Sequence, residues 1–327
     1  MGSDLNAAKR WLPVRLALVA CVLMTTTAAA TAEVRVVVSS KPLHALVASV
    51  MGDVGTPTVL VAGAVSPHSY AMKPSDARTA NGASVFFRVG ESLELWTTKL
   101  VKALPKTVRV VAMQDAPAIK TLARRETGAF EAHDKGHGHD HGAGKGTGAA
   151  AAVEDERDPH VWLDPANASA MVDTIATVLG ELEPAKAAVF RANGQATKMR
   201  LDVLAADLDR EMKPLAGRPF VVLHDAYQYF EARFGVMAVG SIAVSPEAAP
   251  SARQLAAIRR KIVASGARCV FAEPGMQPKL VAAVVEGTAA KIVLLDPEAT
   301  QLPPGPQVYD LLMRNLSAGM QKCLGGN

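Results

Sequence analysis

Short β-branched runs alternate with stretches of helical periodicity along most of this chain, and that alternation constrains the fold most. VRVVVSS at residues 34–40 is followed by PLHALVASVMG, which ends at Gly52. A stretch of helical periodicity also follows each of the strand-like runs SVFFRVG, FVVLH, ARCVFA and KIVLL. Strands that alternate with helices predict parallel sheets covered by helices on both faces.

The length of the chain indicates two lobes. It has 327 residues, and single hydrophobic cores stop growing at about 250–300 residues. Apolar residues keep a helical spacing through residues 183–215, interrupted only by Gly194. We therefore predict two Rossmann-like α/β lobes with parallel sheets, at residues 33–182 and 216–327, joined by a long strut helix at 183–215. Ligands of such sheets bind beyond the carboxyl ends of the strands, which here means the interlobe cleft.

The first 32 residues are typical of an export signal. They have a basic start with Lys9, Arg10 and Arg15, an apolar run at residues 16–24, and small residues at 28–32. The apolar run is shorter than the roughly 20 residues that span a bilayer. Cleavage after Ala32 would place the chain in the periplasm. A minor alternative is a lipoprotein site at Cys21, which would anchor the chain to a membrane.

Two cysteines, Cys269 and Cys323, remain once a signal containing Cys21 has been removed. Two cysteines in an exported chain usually pair, and the alternative is a pair of buried thiols.

The formal net charge of +4 is spread along the chain without a basic stripe. This distribution argues against a surface for nucleic acid.

Four metal-binding side chains stand where predicted strands end. His68 lies in SPHSY, His160 in DPHVWLDP, His224 directly after FVVL, and Asp296 directly after KIVLL. Each lobe supplies two of them, so they can converge in the cleft. Three imidazoles and one oxygen form a normal four-coordinate zinc shell, whereas Mn²⁺ favours more carboxylate oxygen. From placement alone, histidines that merely form hydrogen bonds remain an equal alternative.

Several longer motifs resemble one known family, the zinc- and manganese-specific solute-binding proteins of ABC importers, and most of all its zinc-uptake members. They follow in the family's order over nearly the whole mature chain: SPHSYAMKPSDARTANGASVFFRVGESLELW, DPHVWLDP, VVLHDAYQYFEARFG, SPEAAPSARQL, VFAEPG and LLDP. The resemblance implies a periplasmic protein that binds Zn²⁺ and passes it to a membrane permease.

Carried over by position, the resemblance makes His68, His160 and His224 the zinc ligands. Manganese-type members carry Glu at the position of His224, so the histidine favours zinc. Asp296 matches the aspartate that completes the shell in many relatives, and water is the alternative fourth ligand. Some zinc-type members have Glu before the first histidine, where this chain has Pro67. A disulfide in the second lobe is also implied, matching Cys269 and Cys323.

Residues 131–152 differ sharply in composition from the rest of the chain. The segment EAHDKGHGHDHGAGKGTGAAAA has no large apolar residue, and it predicts a mobile surface loop. The resemblance implies that this loop binds zinc weakly and raises its local concentration. Its candidate ligands are His133, His137, His139 and His141. The alternative is a tolerated insertion that binds metal only incidentally.

The expected function is therefore capture of Zn²⁺ by a monomer without enzymatic activity, with affinity falling below about pH 6.5 as the histidines protonate. A manganese- or iron-binding member of the family is the nearest alternative. A zinc hydrolase is disfavoured because the sequence has no HExxH helix and no GxSxG elbow. An adhesin-like surface role would fit a lipidated Cys21.

Several further residues carry weaker expectations. We expect His44 to lie near the surface without binding metal. Ligating imidazoles usually donate their second N–H to a carboxylate or a carbonyl. The candidates for such partners are Glu273, Asp225, Asp164 and Glu247.

Overall fold

The computed structural model describes residues 34–125, 128–130, 156–243, 250–275 and 277–326. The predicted export signal with Cys21, the histidines of residues 131–152 and Glu247 lie outside these ranges. Within them, no helix combines the length and the apolar character needed to cross a membrane.

The sheet of the first lobe has four parallel strands in the order β2-β1-β3-β4. They are β1 (Val36–Val38), β2 (Thr58–Val59), β3 (Val85–Arg88) and β4 (Arg109–Ala112). Its helices are α1 (Lys41–Met51), α2 (Pro74–Asn81) and α3 (Thr97–Ala103). The central strands β1 and β3 are apolar at successive positions because helices cover both faces of the sheet.

Two long helices follow, α4 (Pro165–Leu182) and α5 (Ala187–Met212). Single 3₁₀ turns at Pro184–Lys186 and Lys213–Leu215 flank α5, so the predicted strut is helical almost throughout. Gly194 lies where α5 packs against α4. A Cβ atom there would stand 3.4 Å from Ala176 Cβ and 3.5 Å from Val172 Cγ1.

The sheet of the second lobe has five strands in the order β5-β7-β6-β8-β9. They are β5 (Gly128–Ala129), β6 (Phe220–His224), β7 (Ala238–Ala243), β8 (Cys269–Ala272) and β9 (Lys291–Leu294). All are parallel except β5, which runs antiparallel to β7. The helices are α6 (Gln228–Phe234), α7 (Ala252–Ser265), α8 (Pro278–Val285) and α9 (Val308–Leu324).

Strand β5 crosses the predicted boundary between the lobes. It lies in the range predicted for the first lobe, yet it pairs with β7 of the second. The approach is so close that a Cβ atom on Gly240 would lie 2.7 Å from the carbonyl oxygen of Gly128. A glycine is therefore required where the two strands meet.

One hydrophobic core extends through both lobes and contains Val38, Trp162, Phe220, Phe271 and Leu316, all essentially inaccessible. Residues Val34–Asn327 accordingly form one compact unit. The predicted disulfide is present: Cys269, the first residue of β8, is bonded to Cys323 in α9.

Candidate metal centre

Four side chains converge between the two lobes: His68, His160, His224 and Glu298. One ligand atom from each lies within 4.8 Å of those from the other three. The Nε2 atom of His160 is 3.1 Å from Nε2 of His68 and 3.2 Å from Nε2 of His224. The Nε2 atom of His68 is 3.6 Å from Glu298 Oε1. We call this group the cleft cluster.

The loop that follows β2 supplies His68. Trp96 Nε1 donates to the carbonyl of Pro67 at 2.9 Å, which fixes the residue before the histidine. The Ser66 hydroxyl accepts from the backbone N–H of His68 at 3.2 Å and donates to Glu298 Oε1 at 2.9 Å. Ser66 therefore connects a histidine of the first lobe with the carboxylate of the second.

A short turn in the motif DPH fixes His160. Asp158 Oδ1 accepts from the backbone N–H of His160 at 2.9 Å and lies 2.8 Å from its Nδ1. Gln228 Nε2 donates to the other carboxylate oxygen of Asp158 at 3.0 Å. Asp158 is not among the carboxylates predicted above, although an aspartate two residues before a candidate ligand histidine is a usable signal.

The strand register of the second lobe fixes His224, the last residue of β6. Val222 stands opposite Phe271 of β8, so Glu273, directly after β8, lies beside His224. Its Oε1 atom is 2.6 Å from His224 Nδ1, and both side chains are buried. Glu273, expected to be a carboxylate partner of a histidine in the site, therefore contacts His224.

These carboxylates determine which imidazole nitrogen can bind a metal. A carboxylate accepts the Nδ1 hydrogen of His160 and of His224, so each Nε2 of the neutral ring carries a lone pair directed into the cluster. Zinc–nitrogen bonds of about 2.0–2.1 Å in a tetrahedron require ligand atoms about 3.3 Å apart. The separations of 3.1, 3.2 and 3.6 Å lie close to that spacing.

Burial and neighbouring charge set the protonation of the metal-free cluster. Burial lowers the pKa of His68 and of His160 well below the ordinary histidine value, and the neighbouring histidines add to that effect. Burial also opposes the charged form of His224, but the adjacent Glu273 outweighs it and raises the pKa of His224 to about 9. Burial raises the pKa of Glu298 to about 8.

Asp296, expected as the fourth ligand, is not part of the cleft cluster; Glu298 stands there instead. The Asp296 carboxylate accepts from the backbone N–H groups of Thr300 and Gln301, both at 2.9 Å, and so closes its own loop. The motif LLDPEAT does indicate this second candidate, because Glu298 follows Asp296 by two residues. We call residues 296–302 the ligand loop.

The remaining expectations have mixed outcomes. His44 is buried rather than near the surface, and its Nε2 lies 3.1 Å from the carbonyl oxygen of Pro57, outside the cluster. Asp225 forms an ion pair with Arg125, not with a ligand histidine. Asp164 accepts from the N–H of Ala166 and caps α4.

A buried group of three imidazoles and one carboxylate, set between two α/β lobes, defines a metal-binding protein. Residues 36–323 match the family described as "Zinc-uptake complex component A periplasmic". The chain belongs to this family, which the resemblance of its motifs had predicted.

Individual relatives agree with this assignment. The "High-affinity zinc uptake system protein ZnuA" of Brucella abortus (strain 2308) is 47% identical over 304 residues, 88% of this chain and 91% of the relative. The protein of the same name from Paracoccus denitrificans (strain Pd 1222) is 38% identical over 310 residues, 91% and 94% of the two chains.

Among solved structures, the laminin-binding protein Lmb of Streptococcus agalactiae is similar, with a TM-score of 0.71 at 26% identity, covering 89% of this chain and 99% of that one. That protein is described as bifunctional, with adhesin and metal transporting activity.

Proposed function

We propose that this protein captures Zn²⁺ in the periplasm through His68, His160, His224 and Glu298 and delivers it to a membrane permease for uptake. The observation that carries this proposal is the convergence of three imidazole Nε2 atoms and one carboxylate in a buried site. Membership of the zinc-uptake family supports the metal and the direction of transport.

The donor set favours zinc over manganese. Three nitrogen donors and one oxygen suit Zn²⁺, whereas Mn²⁺ is a harder ion that prefers mostly oxygen ligands. Three of the six distances between the four donor atoms, 3.1, 3.2 and 3.6 Å, are also close to the edge of a zinc tetrahedron. A manganese or iron cargo is therefore the weaker candidate.

Capture fits the site better than catalysis does. A catalytic zinc usually has three protein ligands and an open position for a water molecule that it activates. Here Glu298 supplies a fourth protein ligand, so the shell is complete without water. We infer a binding protein without enzymatic activity.

Export and delivery complete the proposal. Residues 1–32 direct export and are removed, so the mature chain begins at Glu33 and acts as a monomer without a lipid at Cys21. Histidines of residues 131–152 bind zinc weakly and raise its local concentration. The family description, which names a periplasmic component of an uptake complex, supports the location and the existence of a membrane partner.

The binding site is tested by titrating zinc into the mature chain with His133, His137, His139 and His141 replaced by glutamine. We expect one tightly bound ion per chain, and its loss in a His160→Ala variant. His44→Ala is the matched control, because His44 is also a buried histidine but lies outside the cluster. Undiminished zinc in His160→Ala would refute the site.

The fourth ligand is tested by comparing Glu298→Gln with Asp296→Asn in the same background. Loss of a direct ligand should weaken zinc binding more in Glu298→Gln than in Asp296→Asn, which changes the hydrogen bonds of the ligand loop and removes a charge near Lys41 but leaves the Glu298 carboxylate in place. The opposite order would assign the ligand to Asp296.

Competition between Zn²⁺ and Mn²⁺ on the parent protein tests the metal, and tighter Mn²⁺ binding would refute zinc as the cargo.

A further inference from the structure

A buried lysine of the first lobe holds the ligand loop of the second. Lys41 Nζ donates to the carbonyl oxygens of Thr300 and Leu302, each at 2.8 Å. These carbonyls lie two and four residues after Glu298. The ammonium group therefore fastens the segment that carries the carboxylate of the cleft cluster.

The position of Lys41 is costly for folding. Only 4% of its surface is exposed, and it is the first residue of α1. The N-terminus of a helix carries partial positive charge, which disfavours a cation there. Burial lowers the pKa of Lys41, and the charge of the nearby Asp296 carboxylate offsets only part of that effect. The two backbone carbonyls that accept from the ammonium group carry no full charge. Because this burial does not favour folding, the presence of Lys41 is better explained by its hydrogen bonds to the ligand loop than by a contribution to the stability of the protein.

The ligand loop is itself a rigid unit. Asp296 accepts hydrogen bonds from Thr300 and Gln301 within the loop. Ala299 is buried and adopts φ = 55°, a left-handed conformation that is unfavourable for alanine. Because these hydrogen bonds tie the loop together across Glu298, its attachment to the first lobe helps to determine where the Glu298 carboxylate stands.

Two more donors of the first lobe reach this loop. Trp162 Nε1 donates to the carbonyl of Pro297 at 2.9 Å, and Ser66 Oγ donates to Glu298 Oε1 at 2.9 Å. Trp162 follows His160 by two residues and Ser66 precedes His68 by two. Lys41 differs from both because it belongs to another element, α1, and contacts the far end of the loop.

We propose that Lys41 is a positioning residue, which holds the ligand loop against the first lobe and so places Glu298 at its ligand position before zinc arrives. The proposal rests on the proposed function of the cleft cluster. Without this attachment the three histidines remain, but the carboxylate has to be brought into place at the expense of binding energy.

A double-mutant cycle tests the proposal in the full mature chain with the four histidines of residues 131–152 replaced by glutamine. Loss of a residue that orients a ligand typically weakens metal binding about 10- to 100-fold, and we expect this for Lys41→Met. If Lys41 acts through Glu298, Lys41→Met should cause no further loss in a Glu298→Gln background. Losses that multiply in the double variant would overturn the proposal.

Lys261→Met is the matched control. Lys261 is also a lysine whose ammonium group donates to a backbone carbonyl, that of Phe130, at 2.8 Å. That carbonyl is not in the ligand loop, so zinc affinity should change little. An equal loss of affinity in both variants would assign the effect to general destabilisation.

The absorption spectrum of bound Co²⁺ reports on the coordination of the metal and does not depend on the stability of the protein. Co²⁺ in the parent protein should have the strong visible absorption of a four-coordinate site, and Lys41→Met should shift it toward the spectrum of Glu298→Gln. An unchanged cobalt spectrum in a folded Lys41→Met variant would contradict the proposal.

If the Lys41→Met variant does not fold, the proposal can still be tested by measuring amide hydrogen exchange in the metal-free parent protein. The amides of Thr300 and Gln301 should exchange slowly without metal, and exchange as fast as in an unstructured peptide would overturn the proposal. A parent protein that binds no zinc in the cluster would instead refute the proposed function. Zinc binding that depends on Glu298 but not on Lys41 would refute this inference alone.

Discussion

Glu273 Oε1 lies 2.6 Å from Nδ1 of His224, and the two side chains reach each other from adjacent strands of the second sheet. The contact fixes the orientation of the imidazole and keeps its Nε2 directed at His68 and His160. It also makes His224 the most basic histidine of the cluster, because a buried carboxylate stabilises the imidazolium.

Replacing Glu273 by glutamine should weaken zinc binding about 10- to 100-fold, the usual effect of losing a carboxylate behind a ligand histidine. Glutamine retains the shape and an acceptor oxygen but not the charge. The pKa of His224 should consequently fall from about 9 toward the ordinary histidine value. Competition titration and histidine NMR measure the two effects. Glu286→Gln, at an exposed glutamate, is the control.

Zinc binding should release protons at about pH 7.5. The metal-free protein holds a proton on His224, whose pKa is about 9, and on Glu298, whose pKa is about 8. Zinc binds the lone pair of neutral His224 and the ionised carboxylate of Glu298, so both groups must lose their protons. The affinity for zinc should therefore increase as the pH is raised, until it levels off at about pH 9. Calorimetry in buffers with different ionisation enthalpies measures the release. Ordinary pKa values for both groups, about 6.5 for His224 and about 4.3 for Glu298, would give almost none.

Removing the disulfide should destabilise the protein but not the zinc site. The bond joins residues 54 positions apart, and closure of such a loop is worth about 4 kcal/mol in the chain-entropy model. Denaturant unfolding of a Cys269→Ala, Cys323→Ala variant in EDTA should reveal a loss of that order. Cys269 begins β8, whereas the cleft cluster stands at the carboxyl ends of the strands, so zinc affinity should be unchanged. A large loss of affinity would contradict this separation.

A leucine at Gly194 should lower the free energy of unfolding by about 1–3 kcal/mol, the usual cost of overpacking. Its side chain would have to enter the contact between α4 and α5, where a Cβ atom already stands 3.4 Å from Ala176 Cβ. Gln195→Leu, at the exposed next position of the same helix, is the control. Equal stability of the two variants would show that the helices separate at little cost.

The sequence predicts the three histidines of the site in two ways. His224 ends the apolar strand β6, so its position follows from where that strand ends. His68 lies nine residues after the end of β2, and His160 precedes a 3₁₀ turn, so both are predicted from the motifs around them, SPHSY and DPHVWLDP. The choice between Asp296 and Glu298 depends on how a seven-residue loop is folded, and Ala299 adopts a backbone conformation that no local pattern indicates. Both carboxylates follow the same strand, and the internal hydrogen bonds of Asp296 leave Glu298 for the cluster.

Strand β5 was missed for a related reason. It has only two residues, Gly128 and Ala129, with neither β-branched side chains nor alternation. Its pairing depends on the neighbouring strand β7, and in particular on the missing side chain of Gly240. Such an element is set by tertiary contacts alone.

The same strand has a consequence for dividing the molecule. A gene cut at the strut helix would give one fragment that carries β5 without its partner and another in which the edge of β7 is bare. Unpaired strand edges promote association with other chains. The two halves are therefore poor candidates for independent expression or for exchange between relatives, and the polypeptide has to fold as a whole before it can bind metal.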